Sequence, residues 1–263
     1  MKKEGSKMEK QSPKVKSADR VLDIFELFTG EKESYNLTEI SKELNMPSSS
    51  AYQILQNMLS RGYLETDSSG KQFRLGNKIF EIRVQHRQST SMTAEFYQIA
   101  GKIVEDLKEN VMLGVRSEDK VVYIAEKLVD QPLRIMTNLG SVLPLHASAS
   151  GKMLLSRMPE EKIDQLYRGK KLPIYTGKTI ATLEELKKEL EVVRERGLAY
   201  NIGESVEGIH CMAGPVCDME GNVVAAVSVS IPAIRITEET WQKTASWIER
   251  ACREISNKMY RQN

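Results

Sequence analysis

The chain is poor in the residues that would place it in several large protein classes. Across its 263 residues no apolar run approaches the roughly 18–20 residues of a membrane span, so no transmembrane helix is expected. Only three cysteines occur, Cys211, Cys217 and Cys252, with no CxxC pair and no zinc-like spacing. That argues against a disulfide-stapled or zinc-ribbon fold and for a reduced, cytoplasmic protein. Histidine is equally scarce. His146, His210, Cys211 and Cys217 put no two ligands at i, i+4 on a recognisable helix, so no metal site is expected. Net charge is only +2, too little by itself to announce a nucleic-acid partner. It is unevenly placed: the first 90 residues hold 15 Lys and Arg against 12 Asp and Glu, the remainder 23 against 24.

What is present is a globular composition, 40% hydrophobic and 28% charged, in a length comfortable for two domains. The lysine-rich opening "MKKEGSKMEKQSPKVK" is followed by no hydrophobic segment, so residues 1–15 read as a flexible basic tail and not as a signal peptide. Then "SADRVLDIFELF" places Val21, Ile24, Phe25 and Phe28 on one helical face, with Ser17 as its expected N-cap. A short helix, "LTEISKEL", follows with Leu37, Ile40 and Leu44 inward. "NMP" interrupts it, because Pro47 has no N–H and suits the start of a new helix. The third helix, "PSSSAYQILQNMLSRG", is expected to bury Ala51, Ile54, Leu55 and Met58 and to stop at Gly62. Two strand-like runs, Tyr63–Thr66 and Gln72–Leu75, flank the turn "DSSG".

Helix, short helix, tight turn, helix and hairpin within residues 16–76 is the order of a winged helix-turn-helix. A third helix of this kind fits a DNA major groove, and the wing reaches flanking phosphate or minor groove. The alternative use of such a unit is protein contact. The DNA-facing candidates are Ser48, Ser49, Ser50, Tyr52, Gln53 and Gln56 on the third helix, Arg61 at its end and Lys71 on the wing.

"GNKIFEIRVQHRQ" reads as a linker helix, residues 77–92, with Ile79, Ile82 and Val84 apolar. From Thr93 to the C-terminus the order is mixed. A helix, "TAEFYQIAGKIVEDLKE", precedes the strands "VMLGVR" and "KVVYIAEKL" around the turn "SEDK". Helices are expected at Pro159–Tyr167, at Leu183–Arg196 ended by Gly197, and at Glu238–Met259. "VVAAVSVSI" after the turn "DMEGN" reads as a strand buried on both faces. The whole is an α+β two-domain chain.

One stretch looks chemical: His146-Ala147-Ser148-Ala149-Ser150-Gly151-Lys152. A phosphate loop needs a glycine five residues before Gly151 and a hydroxyl after Lys152. His146 and Met153 stand there instead, which excludes a nucleotide cradle. Neither Ser148 nor Ser150 sits in a Gly-x-Ser-x-Gly elbow, so a nucleophile is not supported. A pocket wall remains, at a loop entering a helix whose free N–H groups favour an anion, with Lys152 expected in solvent. Asn201, Cys211, Ser228 and Ser230 can line the same cavity if the two C-terminal strands pair, since Ser228 and Ser230 share one strand face. Satisfying backbone groups in the core is the competing use of those serines.

The residues quoted above, with "PSSSAYQILQNMLSRGYLE", "LPLHASASGKMLL" and "GIHCMAGPVCDMEGNVVAAVSVSIP", resemble the IclR-type bacterial transcription regulators from roughly Lys16 to the C-terminus. The resemblance implies a winged helix-turn-helix, a linker helix, and an effector-binding, oligomerising domain similar to the GAF fold over residues 93–263. It implies binding to palindromic operator DNA as a homodimer or dimer of dimers, without a cofactor and without an enzymatic activity. It implies a repressor of a catabolic operon that answers to a small organic acid. Motif by motif, it places effector contacts at Ala149, Ser150, Asn201, Cys211, Ser228 and Ser230. Two positions depart from the family's habit. Asn201 stands where an acid is common, and Gln53 where an arginine is common on the recognition helix. Glutamine reads adenine where arginine prefers guanine, so a different operator is expected. The rival readings are an enzyme acting on a small acid in the same pocket and a sensory module without specific DNA affinity.

Overall fold

The computed structural model describes residues 15–30, 32–79, 81–82, 91–130 and 139–260. The expected basic tail therefore lies outside the described residues, apart from Val15, and so do residues 80 and 83–90 of the expected linker helix. The chain divides into two compact units, residues 1–89 and 90–263.

In the first unit, helix α1 is Lys16–Leu27, strand β1 Tyr35–Asn36, helix α2 Leu37–Glu43 and helix α3 Ser48–Ser60. Strands β2, Leu64–Thr66, and β3, Gln72–Leu75, form the hairpin, and β1 joins its outer edge in the order β1-β3-β2. The expected cap at Ser17 is not used: α1 begins one residue earlier, after Val15, with no side-chain cap bond. The cap that matters is on α2. Asn36 Oδ1 accepts from the Glu39 N–H at 3.0 Å, and Glu39 Oε2 accepts from the Asn36 N–H at 2.8 Å. This reciprocal pair satisfies two otherwise free donors at the start of a helix only seven residues long. Asn45 closes the same helix in the left-handed region, φ +47°, where asparagine costs less than most residues. The Met46 N–H reaches the Ser41 carbonyl and the Asn45 N–H that of Lys42, so the turn into α3 is fixed by backbone bonds. Ile24, Ile40, Ala51, Leu55, Leu64 and Phe73 make the core, with Ile54 only partly buried.

The second unit opens with helix α4, Ser91–Leu107, two residues ahead of its expected start. Its sheet has six strands: β4 Asn110–Ser117, β5 Lys120–Lys127, β6 Val142–Pro144, β7 Ala199–Ile202, β8 Ile209–Cys217 and β9 Val223–Pro232. All pairs are antiparallel in the order β6-β5-β4-β9-β8-β7, so β9 is central. Helices α5, Ala149–Ser156, α6, Glu160–Tyr167, and α7, Leu183–Arg196, follow β6, and α8, Glu238–Tyr260, ends the unit. The strand alternation sorts β9 into two faces. Val227, Val229 and Ile231 pack with Phe96 of α4 and Ile248 of α8, while Ala226 packs with Met153 of α5 and Leu190 of α7.

The α2 cap gives a direct test. Asn36→Ala should lower the stability of the first unit by about 1 kcal/mol and Asn36→Asp should recover most of it, read by calorimetry as a shift of that unit's transition.

Candidate functional site

On α3 the outward face holds Ser48, Ser49, Tyr52, Gln53 and Gln56, all exposed, while Ser50 is half-buried. Arg61, the C-cap, and Lys71, in the hairpin turn, are exposed as well. Asn57 shares this exposure and extends the candidate face by one polar residue. The wing tip is built by Asp67, whose carboxylate accepts from the Lys71 N–H at 3.1 Å, the Gln72 N–H at 3.2 Å and the Ser69 hydroxyl. Those bonds hold its pKa below the ordinary carboxylate value, so the turn that presents Lys71 is charged and ordered at neutral pH.

In the second unit four of the six candidate effector residues, Asn201, Cys211, Ser228 and Ser230, share one face of the sheet beneath α5. Register places Asn201 beside Cys211 and Cys211 beside Ser230 across β7, β8 and β9. The Cys211 thiol and Ser230 hydroxyl are 3.2 Å apart. Ser228, one step along the same face, lies between Ala213 and Met112 in register. Ala149 and Ser150 open α5 above them, both buried. Tyr123 of β5 donates to Ser150 Oγ at 3.3 Å and also interacts with Ser228. Burial pushes the Tyr123 phenol to about 12 and the Cys211 thiol to about 11, so both are neutral groups here. Tyr123 was not singled out from the sequence. The available signal was a tyrosine on the inward face of an alternating strand, where its hydroxyl must find a partner.

Asn201 is fully engaged. Its Nδ2 donates to the Ala147 carbonyl at 2.8 Å and to Ser205 Oγ at 2.9 Å, and its Oδ1 accepts from the Glu204 N–H at 2.8 Å. It ties the segment before α5 to the turn after β7. A carboxylate could not donate to the Ala147 carbonyl, which gives a physical reason for the amide.

The "HASASGK" stretch resolves residue by residue. Ser148 is the N-cap of α5: its Oγ accepts from the Gly151 N–H at 3.1 Å and donates to the Pro144 carbonyl at 2.8 Å. Gly151 is required by space, since a Cβ there would sit 2.2 Å from the Leu145 carbonyl oxygen. His146 Nε2 lies 2.9 Å from the Pro173 carbonyl, and burial holds its imidazole below its ordinary pKa, so the ring is a neutral donor with no serine attached. Lys152 corrects the expectation of a solvated lysine. It is 1% exposed, with Nζ 2.7 Å from Glu204 Oε1 and 3.2 Å from Glu189 Oε1. The reason is that every residue of α5 is buried, between the sheet and α7, so the helix has no solvent face to offer. Among the described residues no three His, Cys, Asp or Glu side chains gather as a metal would need, and no helix is long and apolar enough to cross a membrane.

These units define a class: a winged helix-turn-helix in one chain with a GAF-like α+β domain whose sheet carries a polar cluster under a buried helix. Residues 17–68 match the IclR helix-turn-helix domain, and residues 85–257 match the bacterial transcriptional regulator IclR C-terminal family. The chain belongs to the IclR family of bacterial transcriptional regulators, and it is a DNA-binding protein and not an enzyme. It is 31% identical over 252 residues to the HTH-type transcriptional regulator KdgR of Escherichia coli K12, covering 96% of this chain and 95% of that one. It is 27% identical over 244 residues to the transcriptional repressor IclR of the same organism, covering 92% and 89%. An IclR homologue from Microbacterium hydrocarbonoxydans, crystallised with 4-hydroxybenzoate, superposes with a TM-score of 0.81 at 22% identity, over 92% of this chain and 98% of that one.

Removing the Lys152 amine leaves the Glu204 carboxylate buried without its counter-charge. Lys152→Met should destabilise the second unit by about 3 kcal/mol, and adding Glu204→Leu should return most of that loss, measured by denaturant unfolding of the two variants side by side.

Proposed function

We propose that this protein is a repressor of a catabolic operon whose hold on DNA is released or modulated by a small organic acid. The observation that carries the reading is the convergence of Cys211, Ser228 and Ser230 on one sheet face beneath Ala149 and Ser150 at the start of a helix. Hydroxyl groups and first-turn N–H groups orient a carboxylate without a free cation. Lys152 is already matched by Glu204 and Glu189, so it supports packing and not charge recognition. Asn201 acts one step back, by holding the two segments that frame the cluster. The 4-hydroxybenzoate bound by the Microbacterium homologue supports an acid as the ligand class, and the repressor relative supports the sign of control.

In this reading Gln53 and its neighbours on α3 enter the major groove, and Lys71 on the wing contacts phosphate. A single unit carries few cations, so two copies of the chain on a palindromic site supply the affinity. The effector acts by binding the DNA-competent and DNA-incompetent arrangements with different affinity, which makes the two sites reciprocal. The setting is the cytoplasm, as a chain with only three cysteines and no CxxC pair suggests.

Gel-shift titration on the DNA upstream of the protein's own gene tests this. Sequence-specific binding that weakens with salt and is altered by a small acid is expected; turnover of the acid without DNA binding would instead make the pocket an active site. Gln53→Ala should relax discrimination among operator variants, by about 1–3 kcal/mol at the position it reads, with salt-dependent binding retained. Ser230→Ala should reduce the acid's effect several-fold while DNA affinity without the acid stays as in the wild type.

A further inference from the structure

A cavity of about 280 Å³ lies in the second unit and shares no residue with the cluster described above. Its floor is apolar, from Leu143, Pro144 and Leu172, with Tyr175 half-exposed at the edge. Its rim carries Lys120, Lys170 and Lys171 against a single acid, Asp119. Asp119 is matched by Lys170 at 2.6 Å, and its carboxyl is correspondingly held below the ordinary value. Lys120 acts on Asp119 only at longer range and Lys171 forms no salt bridge among the described residues, so three lysines against one acid leave the cavity a charge of about two positive units.

Tyr167, at the last residue of α6, lines this cavity and is 6% exposed. Its hydroxyl is buried and has no hydrogen-bond partner. A buried phenol left unpaired is costly, and such groups in a folded protein call for an explanation. His146, which lines the same cavity, turns its Nε2 to the Pro173 carbonyl.

We propose that this cavity is a binding site for a small dianion carried on a compact apolar body, an aromatic phosphomonoester being the type. The lysines balance its two charges, the Tyr167 hydroxyl donates to an oxygen of the anion, and the apolar floor takes the body. The location gives the site a natural reach. The segment 142–148 walls the cavity on one side and enters α5 through the Ser148–Pro144 bond on the other. The proposal stands independently of the acid-effector reading.

The test is calorimetric titration of the full chain with phenyl phosphate, phenol serving as the neutral control. Saturable, salt-sensitive binding of phenyl phosphate and none of phenol is expected. Lys171→Glu should weaken it by about tenfold, and Tyr167→Phe by about fivefold without lowering the thermal midpoint, because the lost hydroxyl has no partner to forfeit. Ser230→Ala, in the other cluster, should leave it unchanged. Absence of saturable binding overturns the proposal, as does binding indifferent to both Tyr167→Phe and Lys171→Glu. Binding abolished by Ser230→Ala alone overturns it too, by placing the anion in the effector cluster.

Discussion

The buried ammonium of Lys152 is the constraint around which the second unit is arranged. It sits on a helix with no solvent face, and Glu204 and Glu189 reach its Nζ from two other elements. An ion pair out of water repays its desolvation only when geometry and secondary hydrogen bonds are good. Asn201 sets the geometry, fixing the Glu204 backbone and the Ala147 carbonyl with one side chain, while Glu204 Oε2 stays buried without a hydrogen-bond partner. The start of α5, the turn after β7 and the face of α7 are thereby held in one arrangement, and the polar cluster under α5 inherits its shape from it. Such a pair is weak as a source of net stability and strong as a source of position, because any displacement leaves a charge uncompensated.

The first unit reaches the same end by other means. Its elements are too short to be stable from propensity alone. A reciprocal cap at Asn36 and Glu39, a left-handed Asn45 and a stop at Gly62, φ +75°, fix where each helix begins and ends. The apolar side chains then have one way to meet. Backbone geometry sets the direction of α3, and this is what leaves Tyr52, Gln53 and Gln56 outward.

Much of this was legible in the sequence because it depends on period and punctuation. The helices from α6 to α8 and the winged order follow from apolar spacing, Pro47, Gly62 and Gly197. The turn "DMEGN" marks where β9 starts, its pairing with β8 stands as a condition, and the sharing of a face by Ser228 and Ser230 follows from strand alternation. What was not legible depends on long-range partners. Nothing local marks Lys152 as buried, since Glu189 and Glu204 lie 37 and 52 residues away. The same holds for Tyr123 against Ser150, 27 residues apart. The phosphate-loop comparison at Gly151 fails on His146 and Met153, but the glycine's actual reason, the carbonyl of Leu145 pressed against it, is a contact and not a pattern.

Strand β9 carries two texts in one run of ten residues. The odd-numbered residues from Val227 to Ile231 belong to the layer of α4 and α8, and the even-numbered serines to the polar cluster. Because a strand's side chains alternate strictly, neither set can be shifted without displacing the other. Substitution at the even positions, by contrast, alters one face only. Replacements at 228 and 230 therefore rewrite the polar cluster and leave the helix layer on the opposite face untouched, so the pleat keeps the two surfaces independent in composition though not in position.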